Sequence, residues 1–376
     1  MTGFNDIINR LTPDIVSFKI EASSTADVKR ALAKSKPSVE DAYALFSHAA
    51  LPFLEEMAER SRAITLKRFG RTIILYAPIY LSNYCINECA YCGFAVHREI
   101  TRKLLTIDEA VAQAEYLSAE GIRHFLLVTG EAPRQCGLGL IGKVVKAVRQ
   151  KAASVSVEIF PCGLKGYNNL IQAGVDGLTL YQETYDKDLY KKLHPSGPKQ
   201  NFVRRLTAIE KGGHAGFRSL GIGFLLGLAP FRTDALYLAL HCDCLSRSFP
   251  QSRLAISFPR LLPVSEGLQV LHNVSDVDLV QMIAAMRLLF PDAEIVISTR
   301  ESAKLRDHLL PLGITRISAG SRTSPGGYGG ACIDAESGQF ETEDRRQISE
   351  VAEAVRKAGY DVVTKDFDPA FMDIGS

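Results

Sequence analysis

The chain has 376 residues, a formal net charge of +2, 46% hydrophobic and 23% charged residues, and eight cysteines. That balance is the one expected of a soluble globular protein, and the near-neutral charge gives no bulk attraction to nucleic acid or to an anionic membrane. The sequence contains no apolar run of roughly eighteen residues, and residues 1–8 have no basic region followed by an apolar stretch, so neither a membrane span nor secretion is expected. Cysteines in such a chain point to the reducing cytoplasm and to metal ligation over disulfides.

The length suits one large barrel domain or two ordinary ones. Residues 1–70 read as a helical extension. Ser38-Val39-Glu40-Asp41 has the form of a helix start, with Ala42, Leu45, Phe46 and Ala49 on one face. A second helix is expected over 51–67, with Pro52 in its first turn. From about residue 70 short apolar runs alternate with helical stretches: 73–79, 125–129, 155–160, 177–181, 221–226, 254–258, 294–298 and 315–318. Thr106-Ile107-Asp108-Glu109 opens one intervening helix with a capping box and Gly121 closes it, and another helix is expected over 275–289. Eight buried runs separated by helices predict an α/β fold, a (β/α)8 TIM-type barrel over 71–325, with 326–376 as a short C-terminal extension. A doubly wound open sheet is the alternative.

The first candidate strand runs into Cys85-Ile86-Asn87-Glu88-Cys89-Ala90-Tyr91-Cys92, a C-x3-C-x2-C run. A structural zinc takes four closed ligands in two separated pairs, whereas a [4Fe–4S] cluster accepts three thiolates and leaves its fourth iron open. Zinc completed by His97, or three plain thiols, are the competing readings. In a barrel the run lies at the C-terminal mouth, where barrel enzymes carry out their chemistry.

Other strand ends carry side chains poorly suited to a core. The second ends Thr129-Gly130-Glu131, with Gly130 permitting close backbone approach and Glu131 a candidate acceptor for an ammonium group. Glu158 lies inside an apolar run, where an ionised carboxylate is costly unless paired, and its place near the strand end favours an inward direction. The fourth run leads into Tyr181-Gln182-Glu183-Thr184-Tyr185, followed by His194-Pro195 and Arg204-Arg205. Glu183 and Arg205 form either an ion pair or a clamp for a ligand of both charges, and His194 reads as a turn residue. Arg300, after Ser298-Thr299, and Ser318-Ala319-Gly320-Ser321 offer a guanidinium fork and hydroxyls suited to a substrate carboxylate, unless Arg300 pairs with Glu301. Gly326-Gly327-Tyr328-Gly329-Gly330 reads as a hinge or lid. Cys242-Asp243-Cys244 falls in a helical pattern that points the two thiols apart, which argues against a metal site.

From about residue 40 onward the sequence resembles the aromatic amino acid lyase branch of the radical S-adenosylmethionine (SAM) enzymes, the tyrosine lyases of thiamine biosynthesis above all. The resemblance rests on Leu81-Ser82-Asn83-Tyr84-Cys85, the tract 181–198, Ser298-Thr299-Arg300-Glu301, Ser318-Ala319-Gly320-Ser321, and a tail with Gln339-Phe340, Asp344-Arg345-Arg346 and Lys365-Asp366-Phe367-Asp368. It implies a [4Fe–4S] cluster on Cys85, Cys89 and Cys92, and SAM contacted by Tyr91, Gly130, Glu131, Glu158, Glu183 and Arg205. It further implies that Arg300, Ser318 and Ser321 hold the carboxylate of L-tyrosine while Gln182 and Thr184 orient its amine. The implied reaction cleaves Cα–Cβ to give 2-iminoacetate (dehydroglycine) and p-cresol, with methionine and 5′-deoxyadenosine from SAM. The implied partners are thiazole synthase and a low-potential electron donor such as flavodoxin or ferredoxin. No cysteine follows Cys332, so the second cluster of the related hydrogenase-maturing lyases is not expected. Tryptophan as substrate, or a non-catalytic metal-cluster protein, are the alternatives.

Overall fold

The computed structural model describes residues 3–262, 268–329 and 337–364. Its sheet contains β1 (Thr72–Ser82), β2 (His124–Thr129), β3 (Ser154–Glu158), β4 (Gly177–Thr179), β5 (Ser219–Gly223), β6 (Arg253–Ser257), β7 (Glu294–Ile297), β8 (Arg316–Ser318) and β9 (Asp361–Val363). Each of the first seven pairs in parallel with the next, and β1 pairs with both β2 and β8. That double pairing closes a barrel and rules out the open sheet. β9 joins Thr72–Ile74 of β1, ahead of the point at Ala77 where β2 takes up pairing, so the tail returns to the barrel wall.

Strand periodicity decides what faces where. Leu75, Ala77, Phe125, Leu127, Val155, Val157, Leu220, Ile222, Ile256 and Ile295 are all buried in the main apolar cluster beneath the crossover helices. Each such large side chain contributes about 1.5–3 kcal/mol through burial. The alternate residues, among them Tyr76, Glu158, Tyr181 and Ser257, point into the barrel, where they line a cavity.

The helices Ile107–Ala119 and Asp276–Leu289 start where expected, each with a reciprocal capping box at Thr106/Glu109 and Ser275/Asp278. The N-terminal extension is helical over Phe4–Arg10, Pro13–Glu21, Thr25–Ala33 and Leu54–Phe69, but differs from expectation between residues 39 and 53. There only Ala42–Leu45 is α-helical, between 3-10 turns at Val39–Asp41 and His48–Phe53. Tertiary contacts take the carbonyls that a continuous helix would use. Gln281 Nε2 donates to the carbonyls of Leu45 (2.9 Å) and Ser47 (2.8 Å), and Arg232 Nη1 donates to that of Phe46 (2.8 Å). Pro52 removes a further donor.

The tail is fastened by charge. The Arg306 guanidinium pairs with Asp344 and donates to the Ser318 carbonyl, with side-chain exposures of only 1% for Arg306 and 0% for Asp344. Arg346 Nη2 adds a contact to Asp344 at 2.7 Å from a more exposed position. The Gly330 end of the glycine loop, Cys332 and Lys365-Asp366-Phe367-Asp368 lie outside the described residues. Among the described residues no helix is long and apolar enough to cross a membrane.

Removing one member of a buried pair leaves the other charge uncompensated, at a cost of about 3–5 kcal/mol. Asp344→Ala is therefore expected to lower the unfolding free energy by about that amount, and Arg346→Ala by less than half of it. Equilibrium urea unfolding of the variants checks this; equal losses would contradict the assignment of the inner pair as the main fastening.

Candidate active site

At the C-terminal ends of the strands lies a cavity bounded by the cysteine loop on one side and by the loops after β7 and β8 on the other.

The cysteine loop is held from several directions. The Ile86 N–H donates to the Glu131 carbonyl at 3.0 Å, that of Ala90 to Leu193 at 3.0 Å, and that of Gly93 to Gln339 at 2.9 Å. Asn87 Nδ2 donates to Glu131 Oε2 at 2.8 Å, and Arg204 Nη1 to Glu131 Oε1 at 3.1 Å. Close approach explains two glycines: a Cβ on Gly130 would lie 2.3 Å from the Tyr84 carbonyl oxygen, and one on Gly93 2.2 Å from that of Gly338. Cys89 is 4% exposed, while Cys85 and Cys92 are half-buried. Backbone N–H groups address two of the sulfurs, Asn87 at 3.5 Å from Cys85 Sγ and Phe94 at 3.4 Å from Cys92 Sγ.

These features fit an iron–sulfur cluster. A [4Fe–4S] cubane takes one thiolate on each of three irons, which the three cysteines of this one loop can supply. His97 is exposed and faces Glu88 at 3.6 Å. Burial pushes the Cys89 thiol up to about 12, and the neighbouring thiols add to the effect. Burial likewise raises Cys92. Thiolates at such positions need adjacent positive charge, which cluster irons supply, and N–H···S contacts tune a cluster's potential.

Beside the loop sits a buried charge group built on an unusual backbone. Glu183 has φ +73° and is the one non-glycine residue at positive φ among the described residues, a conformation that persists only where its surroundings enforce it. Its carbonyl accepts from the Leu225 N–H at 2.8 Å. Its carboxylate meets Lys199 Nζ at 2.7 Å and Arg205 Nη2 at 3.2 Å, and Arg205 Nε donates to the Tyr181 carbonyl at 2.6 Å. Burial acts to raise the Glu183 pKa, but Lys199 and Arg205 outweigh it and hold the carboxyl at about 2. Lys199 Nζ also lies 5.5 Å from the centre of the Tyr91 ring. His194 Nδ1 is 2.7 Å from the Tyr190 carbonyl, which can only accept, so Nε2 receives the Tyr91 hydroxyl at 2.8 Å. Burial depresses the His194 pKa to about 3 and keeps the ring neutral.

The opposite wall carries Arg300, Ser318 and Ser321. The Arg300 guanidinium lies 3.5 Å from the centre of the Phe340 ring and has no hydrogen-bonding or ionic partner among the described residues. Glu301 pairs instead with Arg260, which removes the surface-pair alternative for Arg300. Ser318 Oγ accepts from the Thr299 N–H at 3.0 Å, and the Ser321 hydroxyl is buried without a partner among the described residues. Glu158 enters the cavity from β3, as its strand-end position suggested. Burial raises its pKa to about 7, and the Glu183 carboxylate adds to the rise.

Two expected positions fall elsewhere. Gln182 and Thr184 do not line the cavity, whereas Tyr181 and Glu183 do. Thr184 is fully buried and its Oγ1 accepts the Asp186 N–H at 3.2 Å, while Asp234 accepts the Tyr185 N–H at 2.9 Å. Gln182 is 3% exposed, and its Nε2 has no partner among the described residues. Gly130, Glu131 and Arg205 stand behind the lining, where Glu131 braces the cysteine loop and Arg205 braces Glu183. Sequence reasoning missed Lys199 and did not assign Gln339 a site role. Lys199 follows Pro198 in the same tract as His194, and Gln339 Oε1 accepts from the Tyr80 hydroxyl at 2.7 Å. Cys242 is part of the apolar core and Cys244 packs against it.

Comparison with known proteins agrees with this geometry. Residues 79–233 match the Radical SAM superfamily, and residues 257–361 match the Biotin and Thiamin Synthesis associated domain. The chain is 38% identical to 2-iminoacetate synthase of Salmonella typhimurium over 98% of its own length and 97% of that protein, with the same values for the Escherichia coli protein. Among solved structures, the FeFe-hydrogenase maturase HydG from Carboxydothermus hydrogenoformans superposes with a TM-score of 0.84 at 31% identity, covering 96% of this chain and 82% of that one. Methylornithine synthase shares the fold, with a TM-score of 0.71 at 22% identity over 89% of this chain and 96% of the other. By its identity to these relatives over nearly its whole length, the chain belongs to the 2-iminoacetate synthase family of the radical SAM superfamily.

Proposed function

We propose that this protein is a tyrosine lyase that cleaves the Cα–Cβ bond of L-tyrosine to 2-iminoacetate and p-cresol. The observation that carries the reading is a recessed guanidinium, Arg300, left without a polar partner in a cavity that also reaches Cys92 of the cysteine loop. A planar fork of that kind suits a carboxylate bound at two points.

In this reading Cys85, Cys89 and Cys92 hold a [4Fe–4S] cluster. Tyr91, Gly130, Glu131, Glu183 and Arg205 shape the place for SAM, with Lys199 completing the charge of Glu183. When bound, the cluster and SAM supply the 5′-deoxyadenosyl radical that starts the reaction. The chain's own residues do the rest by position. Arg300, with Ser318 and Ser321, takes the substrate carboxylate, and the half-buried Phe340 ring keeps one face of the guanidinium from water. The ring-lined walls at Tyr76, Tyr80 and Tyr181 suit a planar aromatic side chain. Holding the amino nitrogen at the reacting end while excluding water is the main service such a site renders. The unstable imine product calls for a consuming partner, thiazole synthase, and the reaction needs a low-potential electron donor such as flavodoxin or ferredoxin. The same reading keeps 1–70 as a helical extension, 71–325 as the catalytic barrel and 326–376 as a C-terminal extension, whose described residues 337–364 return to the barrel wall through β9.

The reading is tested by anaerobic turnover of cluster-reconstituted protein with SAM, a strong reductant and tyrosine, followed by mass spectrometry. p-Cresol and 5′-deoxyadenosine are expected together, and both are expected to vanish in Cys89→Ala. 5′-Deoxyadenosine with a tryptophan-derived product, and none from tyrosine, would overturn the choice of substrate.

Arg300→Lys keeps the charge but loses the fork. It is expected to lower kcat/KM for tyrosine by about 100-fold, equivalent to about 2.7 kcal/mol, mostly through KM, with SAM affinity unchanged. Steady-state kinetics under saturating SAM check this, and an unchanged KM would remove Arg300 from the substrate site.

A further inference from the structure

Four charged side chains line the cavity: Glu158, Glu183, Lys199 and Arg300. Glu183 and Lys199 neutralise each other at 2.7 Å, and Arg205 reinforces Glu183 from behind. That leaves one anion and one cation, Glu158 and Arg300, without a hydrogen-bonded or ion-paired partner among the described residues. An amino acid arrives at neutral pH with one carboxylate and one ammonium group. With the carboxylate on Arg300, the ammonium needs an acceptor, and Gln182 and Thr184 do not line the cavity.

We propose that Glu158 receives the substrate's ammonium group and serves as the general base that takes its proton. This rests on the tyrosine lyase reading and supplies a step that reading requires. Hydrogen-atom removal from nitrogen, followed by Cα–Cβ cleavage into a C=N bond, proceeds from the neutral amine, whose lone pair an ammonium lacks. One proton passes from the ammonium nitrogen to a carboxylate oxygen of Glu158, giving a neutral amine and a carboxylic acid, and no electron moves. Position supports the role. Glu158 stands at the C-terminal end of β3, in register with Val128 of β2 and Thr179 of β4, and lines the same cavity as Cys92, Glu183 and Arg300, between the cysteine loop and the carboxylate site. An unpaired carboxylate in an enclosed site is costly unless a ligand arrives to pair with it.

The pH behaviour has a definite sign. The groups facing Glu158 are Glu183, Arg205, Lys199 and Arg300, with the rings of Tyr76, Tyr80 and Tyr181 around it. Burial and the Glu183 charge raise the carboxyl to about 7, so the acceptor form is lost as pH falls through neutrality.

The test uses full-length, cluster-reconstituted wild-type protein and Glu158→Gln, kept anaerobic with SAM. Equilibrium dissociation constants are measured for SAM, for tyrosine and for 3-(4-hydroxyphenyl)propionate, which lacks the amine. The expected result is a SAM constant within 2-fold of wild type, tyrosine binding weakened at least 10-fold, and binding of the des-amino analogue unchanged. The acid limb of the kcat/KM profile near pH 7 is expected in wild type and absent in the variant. Loss of SAM affinity would make Glu158 a cofactor residue, weaker binding of the des-amino analogue would place it at the phenol, and unchanged constants would give it no role; each overturns the proposal. If wild-type protein forms no p-cresol, the lyase reading fails first, and that outcome is distinct from the others.

Discussion

The site depends on the closure of one charge group. Glu183 sits at a positive φ that side-chain-bearing residues avoid, and its carboxylate is held between Lys199 and Arg205. Strain of that kind costs about 1–3 kcal/mol and persists only where contacts enforce it. Here they come from three places: the pairing of Glu183 with Phe224, the Arg205 bond to the Tyr181 carbonyl, and Asp234 of the helix Phe231–Ser248 accepting the Tyr185 N–H. The three charges of this group are paired with one another, Lys199 in the lining and Arg205 behind it, which leaves Glu158 and Arg300 to face a ligand.

The cysteine loop shares that scaffold. Lys199 reaches over the Tyr91 ring, its N–H donates to Asn87 Oδ1 at 2.8 Å, and Asn87 in turn bonds Glu131. Gly197, at φ +86°, lets the 194–200 segment pass within contact distance of the loop backbone at Ile86 and Asn87. The loop that presents the thiols and the segment that neutralises Glu183 are thus one packed unit. A shift in either moves the other, which couples the geometry of the cluster site to that of the site proposed for SAM.

Much of the fold could be read in the sequence because a parallel barrel writes itself as spaced apolar runs. The strands fell within a few residues of expectation, and the capping boxes at Thr106 and Ser275 marked real helix starts. The helix break near residue 46 could not be seen, since the side chains that cause it, Gln281 and Arg232, are more than 180 residues away. Within the site, Arg300, Ser318, Glu158 and Glu183 were legible as polar residues at strand ends. That Gln182 and Thr184 lie off the cavity lining could not be read from the sequence, since the chain has left β4 at Thr179 and turns through the positive φ of Glu183. Lys199 was hidden for a different reason. A lysine in a Pro-Ser-Gly-Pro-Lys tract looks solvent-exposed, and only the fold over Tyr91 makes it interior.

The central claim is that the two unpaired charges of the cavity are matched to the two charges of an amino acid. It is tested most directly by anaerobic binding of L-tyrosine, tyramine and 3-(4-hydroxyphenyl)propionate to wild-type, cluster-reconstituted protein with SAM. The account predicts that removing the carboxylate or the amine each weakens binding by at least 10-fold, about 1.4 kcal/mol or more. Equal affinity for all three would mean that the aromatic ring alone is recognised, and would contradict the account.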